Sequence, residues 1–309
     1  MNTFDIILQQ VGLFVIYILA GLLLVKTKVL NRETLEPISK FVIKMALPLM
    51  VFINITDGTD KKNLYESWPI LVIAVGFYIC IYAAGAMAVK FFKQQESRVG
   101  IYRAMLLFGN IGFRGLPMIS SVFPENGILY ASVFMLIDQF MLWTLGVKLT
   151  SPTGEGGFKL KKMINPATVA IVLAIVLKFT GIRIPILLDT AFSKIGSTAS
   201  PLAMIYVGGI FAGISLKKYL REISLYGIVL LKMILAPVFL FLILGLFPVS
   251  GELRLATSLI VGMPTMTAVV MMANASGLDG DYALGGVFIT TISGIITLPA
   301  VCWLLQYVL

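Results

Sequence analysis

The chain has 309 residues, of which 59% are apolar and 13% charged, with a mean hydropathy of +0.97. A soluble domain carries about twice that share of charge, so a soluble globular protein, a disordered chain and a disulfide-stapled scaffold are excluded. The formal charge of +9 sits mostly in short loops, which points to membrane topology and not to nucleic acid.

A helical span needs about 20 apolar residues, and ten candidates follow one another: 5–25, 37–56, 67–91, 99–122, 127–149, 165–181, 187–215, 222–247, 252–274 and 282–308. Span one follows Asp5 with no basic segment before it, so no cleavable signal peptide is expected. Span two carries Lys44 and the run Ala46-Leu-Pro48. In span three Tyr78 and Tyr82 read as packing residues, and Cys80, like Cys302 in span ten, as a small buried hydrophobe. Span four contains Gly109-Asn110-Ile-Gly112-Phe-Arg114-Gly115-Leu-Pro117, and span five contains Asp138-Gln139. Residues 150–164 are a polar connection, long enough for a tether and too short for a domain. Span seven begins with small and polar residues, which predict a surface helix feeding a shorter span from Pro201. Span eight holds Lys232, span nine Gly262-Met-Pro264-Thr265 and span ten Thr290-Thr291.

The loops after spans one, three, five and seven hold 11 basic residues against five in the opposite loops. That bias places the first set in the cytoplasm and both termini outside a cytoplasmic membrane.

The halves 1–149 and 165–309 echo one another. Ala46-Leu-Pro48 matches Ala199-Ser-Pro201, Gly115-Leu-Pro117 matches Gly262-Met-Pro264, and Tyr130-Ala-Ser matches Tyr282-Ala-Leu, in the same order. Pro48 and Pro117 are 69 residues apart, Pro201 and Pro264 are 63 apart. Five spans is an odd number, so the halves lie upside down to one another, as in many secondary transporters. The fold expected is an all-α membrane protein of ten transmembrane helices, built as two inverted five-helix repeats.

Three glycines and a proline between Gly109 and Pro117 disfavour a regular helix. Span nine carries a milder break at Pro264. Broken backbone is tolerated at membrane depth only inside protein or beside a water-filled cavity. Two breaks at matching positions allow helices four and nine to cross and to aim their half-helix N-termini at an anion. The bland alternative is two prolines that merely kink packed helices.

The run Gly109-Asn110-x-Gly112-x-x-Gly115-x-Pro117 resembles the signature of the auxin efflux carrier family, which includes plant auxin carriers and bacterial permeases for malate- and malonate-like acids. The resemblance extends over the whole chain. It implies a fold similar to bile-acid symporters, with spans 1, 2, 6 and 7 as a scaffold and spans 3–5 and 8–10 as a transport core. It implies that Asn110, Pro117 and Pro264 line the substrate site, and that a homodimer forms through spans two and seven. There Gly208, Gly209, Ala212 and Gly213 allow close packing, which equally suits packing within one subunit. Arg114 departs from the family pattern, where an uncharged residue is expected.

The candidate substrate site therefore comprises Gly109, Asn110, Gly112, Arg114, Gly115, Pro117, Pro264 and Thr265, with Pro48 and Pro201 beside them. Arg114 is too deep to snorkel, and its planar donors suit a carboxylate. Asp138, with Gln139, is either a proton or cation coupling site or a fixed partner of Lys232 or Arg114. Thr290 and Thr291 align with this pair across the repeat. Lys44, Arg114 and Lys232 against Asp138 leave the interior with two excess positive charges, which favours an anionic substrate.

The chain lacks histidine, a Gly-x-Ser-x-Gly elbow and a phosphate-binding loop, so neither an enzyme nor an ATP-driven pump is expected and no catalytic residue is assigned. No metal or organic cofactor is expected, although protons or sodium could couple transport. The expected function is elevator-type secondary transport of a small mono- or dicarboxylate, with the lipid bilayer and the acid as partners. The competing reading is a cation/proton antiporter with crossed broken helices, which would ordinarily need paired carboxylates.

Overall fold

Helices that lie in hydrocarbon can be apolar all round, and their buried and exposed faces differ only in what covers them. Helix α1 (Thr3–Lys26) shows this: Ile7, Val11 and Phe14 are buried, while Leu8, Ile16, Leu19 and Leu23 are exposed. The structure is a computed structural model describing residues 3–58, 61–151, 166–213 and 219–308, and the described residues are helical with no strand. The expected central connection at 150–164 lies outside them, apart from Thr150 and Ser151.

After α1 come α2 (Arg32–Phe41), α3 (Leu47–Gly58), α4 (Lys61–Glu66), α5 (Pro69–Phe91), α6 (Glu96–Leu107), α7 (Leu116–Val122), α8 (Gly127–Met141) and α9 (Val147–Leu149). The second half supplies α10 (Pro166–Thr180), α11 (Ile186–Ser197), α12 (Ala199–Ala212), α13 (Ile223–Ile228), α14 (Ala236–Leu244), α15 (Gly251–Val261), α16 (Ala268–Ala275) and α17 (Gly280–Val308). Among the described residues, seven helical stretches are long and apolar enough to cross a membrane: Phe4–Lys26, Glu33–Thr56, Pro69–Phe91, Gly127–Leu149, Ile186–Ala212, Ile223–Leu244 and Gly280–Val308. The three other expected spans differ. The shorter helix α10 lies over the sixth expected span, α6 and α7 over the fourth, and α15 and α16 over the ninth.

Wide π-helical turns join α2 to α3 (Val42–Ala46), α8 to α9 (Leu142–Gly146) and α13 to α14 (Val229–Leu235), and a fourth, Ile111–Gly115, precedes α7. Three of the four run directly into a proline at the second residue of the next helix: Pro48, Pro117 and Pro237. Proline has no N–H to give the carbonyl four residues back. The helix takes in an extra residue there and resumes.

Close packing ties the first and seventh spans. A Cβ on Gly21 would fall on the Ile205 carbonyl, and one on Gly208 on the Ile18 carbonyl, so α1 and α12 approach backbone to backbone. Gly209 meets the Leu35 side chain in the same way. These glycines are thus used inside the chain and offer no close-packing face to a second copy. The helix expected at the surface before Pro201 is α11, which is exposed along most of its length with Gly196 its one buried residue; it lies on α3, with a Cβ at Gly196 only 2.7 Å from the Met50 backbone and the Phe52 and Phe192 rings 6.2 Å apart. Only Thr198 separates α11 from α12.

Further contacts hold α10 on α3, α5 on α6 and α8, α14 on α15, α13 and α16 on α17, α15 on α8 and α6 on α17. At one end of the bundle Arg98 binds Asp279 at 2.8 Å and lies 4.5 Å from the Tyr282 ring centroid. The Tyr282 hydroxyl donates to Gln94 Oε1 at 3.0 Å and is 2.8 Å from Ser224 Oγ. This cluster fastens the starts of α6, α13 and α17 together. Asp279, in the turn before α17, thus anchors an arginine.

Loop chemistry fixes the entry to α2. Asn31 Oδ1 accepts from the Thr34 N–H at 2.8 Å and Thr34 Oγ1 accepts from the Asn31 N–H at 2.8 Å. Asn31→Ala removes one side of this reciprocal cap. It should lower stability by about 1 kcal/mol, read as a modest fall in melting temperature in detergent.

Candidate functional site

The glycines and prolines of the two interrupted spans bring their backbones together. Helix α6 stops at Leu107, and Phe108 is extended (φ −96°, ψ 110°). Helix α15 stops at Val261, and α16 starts only at Ala268. Between these ends the two stretches run antiparallel, with Gly109 opposite Thr265. The Asn110 N–H donates to the Pro264 carbonyl at 2.7 Å, and the Met266 N–H to the Phe108 carbonyl at 3.1 Å. Backbone groups freed by each interruption are therefore satisfied by the other. Phe108, Asn110 and Thr265 are all buried. A Cβ at Gly109 would stand 3.3 Å from Met263 Cβ, so glycine keeps the two strands close.

Side chains lock this crossing. Thr265 donates its hydroxyl to the Met105 carbonyl at 3.1 Å, and its N–H to Thr290 Oγ1 at 3.1 Å. Thr290 in turn donates to the Gly286 carbonyl at 2.7 Å. Lys232 is fully buried, and its Nζ donates to the same Met105 carbonyl at 2.9 Å. Met105 lies in the last turn of α6, where unpaired carbonyls concentrate partial negative charge. An ammonium placed there is matched to its site.

Beyond the crossing, Asn110 starts the next turn. Its Oδ1 accepts from the Phe113 N–H at 3.3 Å, and its carbonyl from Arg114 N at 3.2 Å and Gly115 N at 3.1 Å. Arg114 is only 4% exposed. Its Nε meets Met204 Sδ on α12 at 3.3 Å, and Nη2 has no partner. A thioether is a weak acceptor, so this guanidinium is buried without a counter-charge: no ion pair involves it among the described residues. Pro117 leaves the Phe113 carbonyl without its helical donor, and Ser200 Oγ of α12 reaches that oxygen at 3.4 Å. Arg114 and Phe113 thus face α12.

Asp138 of α8 is fully buried. Tyr78 of α5 donates its hydroxyl to Oδ1, and Oδ2 has no partner. Lys232 is the other fully buried ionised group nearby in the fold, yet no nitrogen–oxygen pair between it and Asp138 falls within 4.0 Å.

Of the expected site residues, Gly109, Asn110, Pro264, Thr265, Lys232 and Thr290 meet at the crossing, and Arg114 lies one turn further on. Gly112 packs on Leu47 and Met135, and Gly115 on Ile111 and Met263. Pro117 is half-buried at the start of α7 and Pro48 is buried in α3. Pro201 is half-buried next to Ser200.

Several expectations change. Lys44 is exposed, so the buried charged residues among those described are Arg114, Lys232 and Asp138. The interior excess, with all three ionised, is one positive charge and not two. Gln139 is half-buried beside Asp138, and the Thr291 hydroxyl is buried without a partner. Tyr78 is a hydrogen-bond donor to Asp138 and not simple packing. The sequence gives no sign of the Met105 carbonyl, since any residue supplies one. Ser200 and Met204 carry a faint signal, their place beside Pro201. A groove of about 610 Å³ lined by Lys178, Arg183 and Asp189 lies at the ends of α3 and α10 and shares no residue with the crossing.

The family model described as "Membrane transport protein" matches the chain twice, over residues 5–159 and 156–302. An uncharacterized transporter of Methanocaldococcus jannaschii is 24% identical over 290 residues, covering 90% of this chain and 92% of that protein. The uncharacterized transporter YfdV of Escherichia coli is 23% identical over 240 residues, 74% of this chain and 75% of the relative. A protein of Rhizobium meliloti named "Putative malonate transporter" is 23% identical over 287 residues, 89% of this chain and 88% of its own length. With both halves of the sequence matched, the chain belongs to this membrane transport protein family, the auxin efflux carrier family.

Proposed function

We propose that the chain is a secondary transporter of a small organic anion, a mono- or dicarboxylate, in the cytoplasmic membrane. The observation that carries this reading is Arg114: a guanidinium buried without a counter-charge one turn beyond two crossed, interrupted helices. A carboxylate would supply what Met204 does not, a charged planar acceptor. The relative named for malonate transport agrees with that chemistry.

The helix pairings support two inverted repeats, 1–149 and 165–309, of five spans each. Adding five to each span number turns one set of contacts into the other. The pairing of spans one and seven (α1 on α12) matches that of six and two (α10 on α3). Three on five (α5 on α8) matches eight on ten (α13 on α17), and five on nine (α8 on α15) matches ten on four (α17 on α6). In this reading spans 1, 2, 6 and 7 stand as a scaffold and spans 3–5 and 8–10 move as a core. The polar contacts from the crossing to α12 are few and weak, Ser200 to the Phe113 carbonyl and Arg114 to Met204. An elevator movement would break little there. Both termini lie outside.

The test is a thermal-shift screen of purified protein with malonate, malate, acetate and indole-3-acetate, with and without sodium. A ligand that binds the native state raises the melting temperature. A rise with at least one acid, followed by its counterflow in proteoliposomes, is the expected result. A rise with sodium alone would favour the antiporter reading.

A further inference from the structure

We propose that Asp138 carries a proton and couples anion transport to the proton gradient; this rests on the anion-transport reading of the crossing. The carboxyl is fully buried, with Tyr78 donating to Oδ1 and nothing donating to Oδ2. An ionised carboxylate with a bare oxygen in an apolar interior is costly, and a proton on that oxygen removes the cost.

No neighbouring group donates to Oδ2, although Arg114 Nη2 and the Ser258 hydroxyl are also buried without a partner. From α5 comes Tyr78, and from the turn Ile111–Gly115 comes Arg114, whose Nε is turned to Met204. Helix α15 brings Thr257 and Ser258, with Glu252 and Arg254 at its start. Thr257 is bonded to the Leu253 carbonyl, Glu252 to Asn126, and Arg254 to the Phe241 carbonyl. Helix α7 brings Ser120 and Ser121, both bonded to the Pro117 carbonyl. Leu47–Thr56 of α3 has no charged residue, and the one lysine of α10, Lys178, binds the Thr56 carbonyl. The turn Leu142–Gly146 has none, and Lys148 lies beyond it in α9. Lys232 contributes charge, but its ammonium is held by the Met105 carbonyl.

Charge counting makes the site a coupling device. With Asp138 ionised, Arg114 and Lys232 leave one excess positive charge in the interior; with Asp138 neutral they leave two. An anion therefore binds more tightly to the protonated form, and by reciprocity the loaded protein holds its proton more tightly. The link to the crossing is physical: the Tyr78 ring packs 6.0 Å from the Phe108 ring, and the Phe108 carbonyl is part of the antiparallel pair. The step is a proton transfer alone. A proton from one side bonds to Oδ2, travels with the anion and leaves to water on the other side.

The experiment uses the full chain in proteoliposomes with malonate as probe and a trapped pH dye. Malonate counterflow in the wild type tests the transport reading by itself. With counterflow present, an imposed pH gradient should drive malonate accumulation with matching proton movement. Where malonate is fully ionised, its apparent affinity should fall by up to about tenfold per pH unit, the limit for one linked proton. Asp138→Asn keeps the shape and stays neutral: counterflow should persist while gradient-driven accumulation and the pH dependence of affinity disappear. Tyr78→Phe removes the one hydrogen bond to the Asp138 carboxyl and should shift the pH profile with coupling intact. Independently of any substrate, the infrared carboxylic-acid band that titrates in the wild-type protein should be missing in Asp138→Asn. Wild-type counterflow without proton movement overturns the proposal, as does gradient-driven accumulation retained by Asp138→Asn. If Asp138→Asn also loses counterflow, an unshifted pH profile in Tyr78→Phe overturns it.

Discussion

Arg114→Ala should abolish acid binding while leaving the protein folded. The guanidinium is 4% exposed, so water could not replace what it would give a bound carboxylate. Removing one partner of a buried charge-assisted pair costs about 2 to 5 kcal/mol, roughly 30-fold to several thousand-fold in affinity. The fold should tolerate the change, because Nη2 has no partner and Nε has only a thioether. Losing a buried charge that has no counter-charge offsets part of the cost of the cavity that alanine leaves. The melting temperature without ligand should fall modestly at most, and the rise produced by the acid should vanish. Arg114→Lys should not restore it, since an ammonium lacks the planar fork. Met204→Leu makes the opposite prediction: it removes the acceptor that competes for Nε, so affinity should hold or improve. Arg114→Ala protein that binds its acid within threefold of the wild type would remove Arg114 from the site.

Much of this site is legible in the sequence because glycine and proline act through the backbone. Gly109, Gly112, Gly115 and Pro117 within one apolar span say that the helix fails there, and Pro264 says the same for its counterpart. Unpaired backbone in hydrocarbon must find a partner, so the two failures meeting was a physical expectation. How they meet was not. The bonds run from Asn110 N to Pro264 O and from Met266 N to Phe108 O, and that register depends on tertiary packing. The π-helical turns before Pro48, Pro117 and Pro237 were also hidden, although each follows from the missing N–H of its proline. Depth along a helix is readable from sequence, but facing is less so in a chain apolar on every side. Lys44 and Lys232 look alike in their spans, yet Lys44 is exposed and Lys232 is fully buried. Tyr78 was indistinguishable from other span tyrosines until α5 and α8 were placed side by side. The glycines Gly208 and Gly209 announced a close contact correctly, but not that its partner is within the chain.

Lys232→Met separates the two roles that Lys232 could have, holding the crossing and holding charge for an anion. Methionine keeps most of the side chain's volume and fills irregular space well. The Met105 carbonyl would still accept from Thr265 Oγ1, so the crossing keeps one of its two ties. Replacing a buried charge by an apolar group of similar size is often neutral for stability, and the melting temperature should change little. The effect on the anion should be large. A unit charge about 8 Å away at an effective dielectric of about 20 is worth about 2 kcal/mol, or roughly 30-fold in affinity. The excess buried charge would fall from one to zero with Asp138 ionised. The interior around Asp138 would also lose a buried cation, so the pH dependence of acid binding should change. Isothermal titration at two pH values reads both effects together. A purely structural lysine would instead lower the melting temperature and leave the affinity of the surviving folded protein unchanged. Lys232→Ala distinguishes packing from charge further: it should match the methionine variant in affinity but fall below it in stability, because it leaves a cavity between the Gly109 backbone and the turn that bears residue 232.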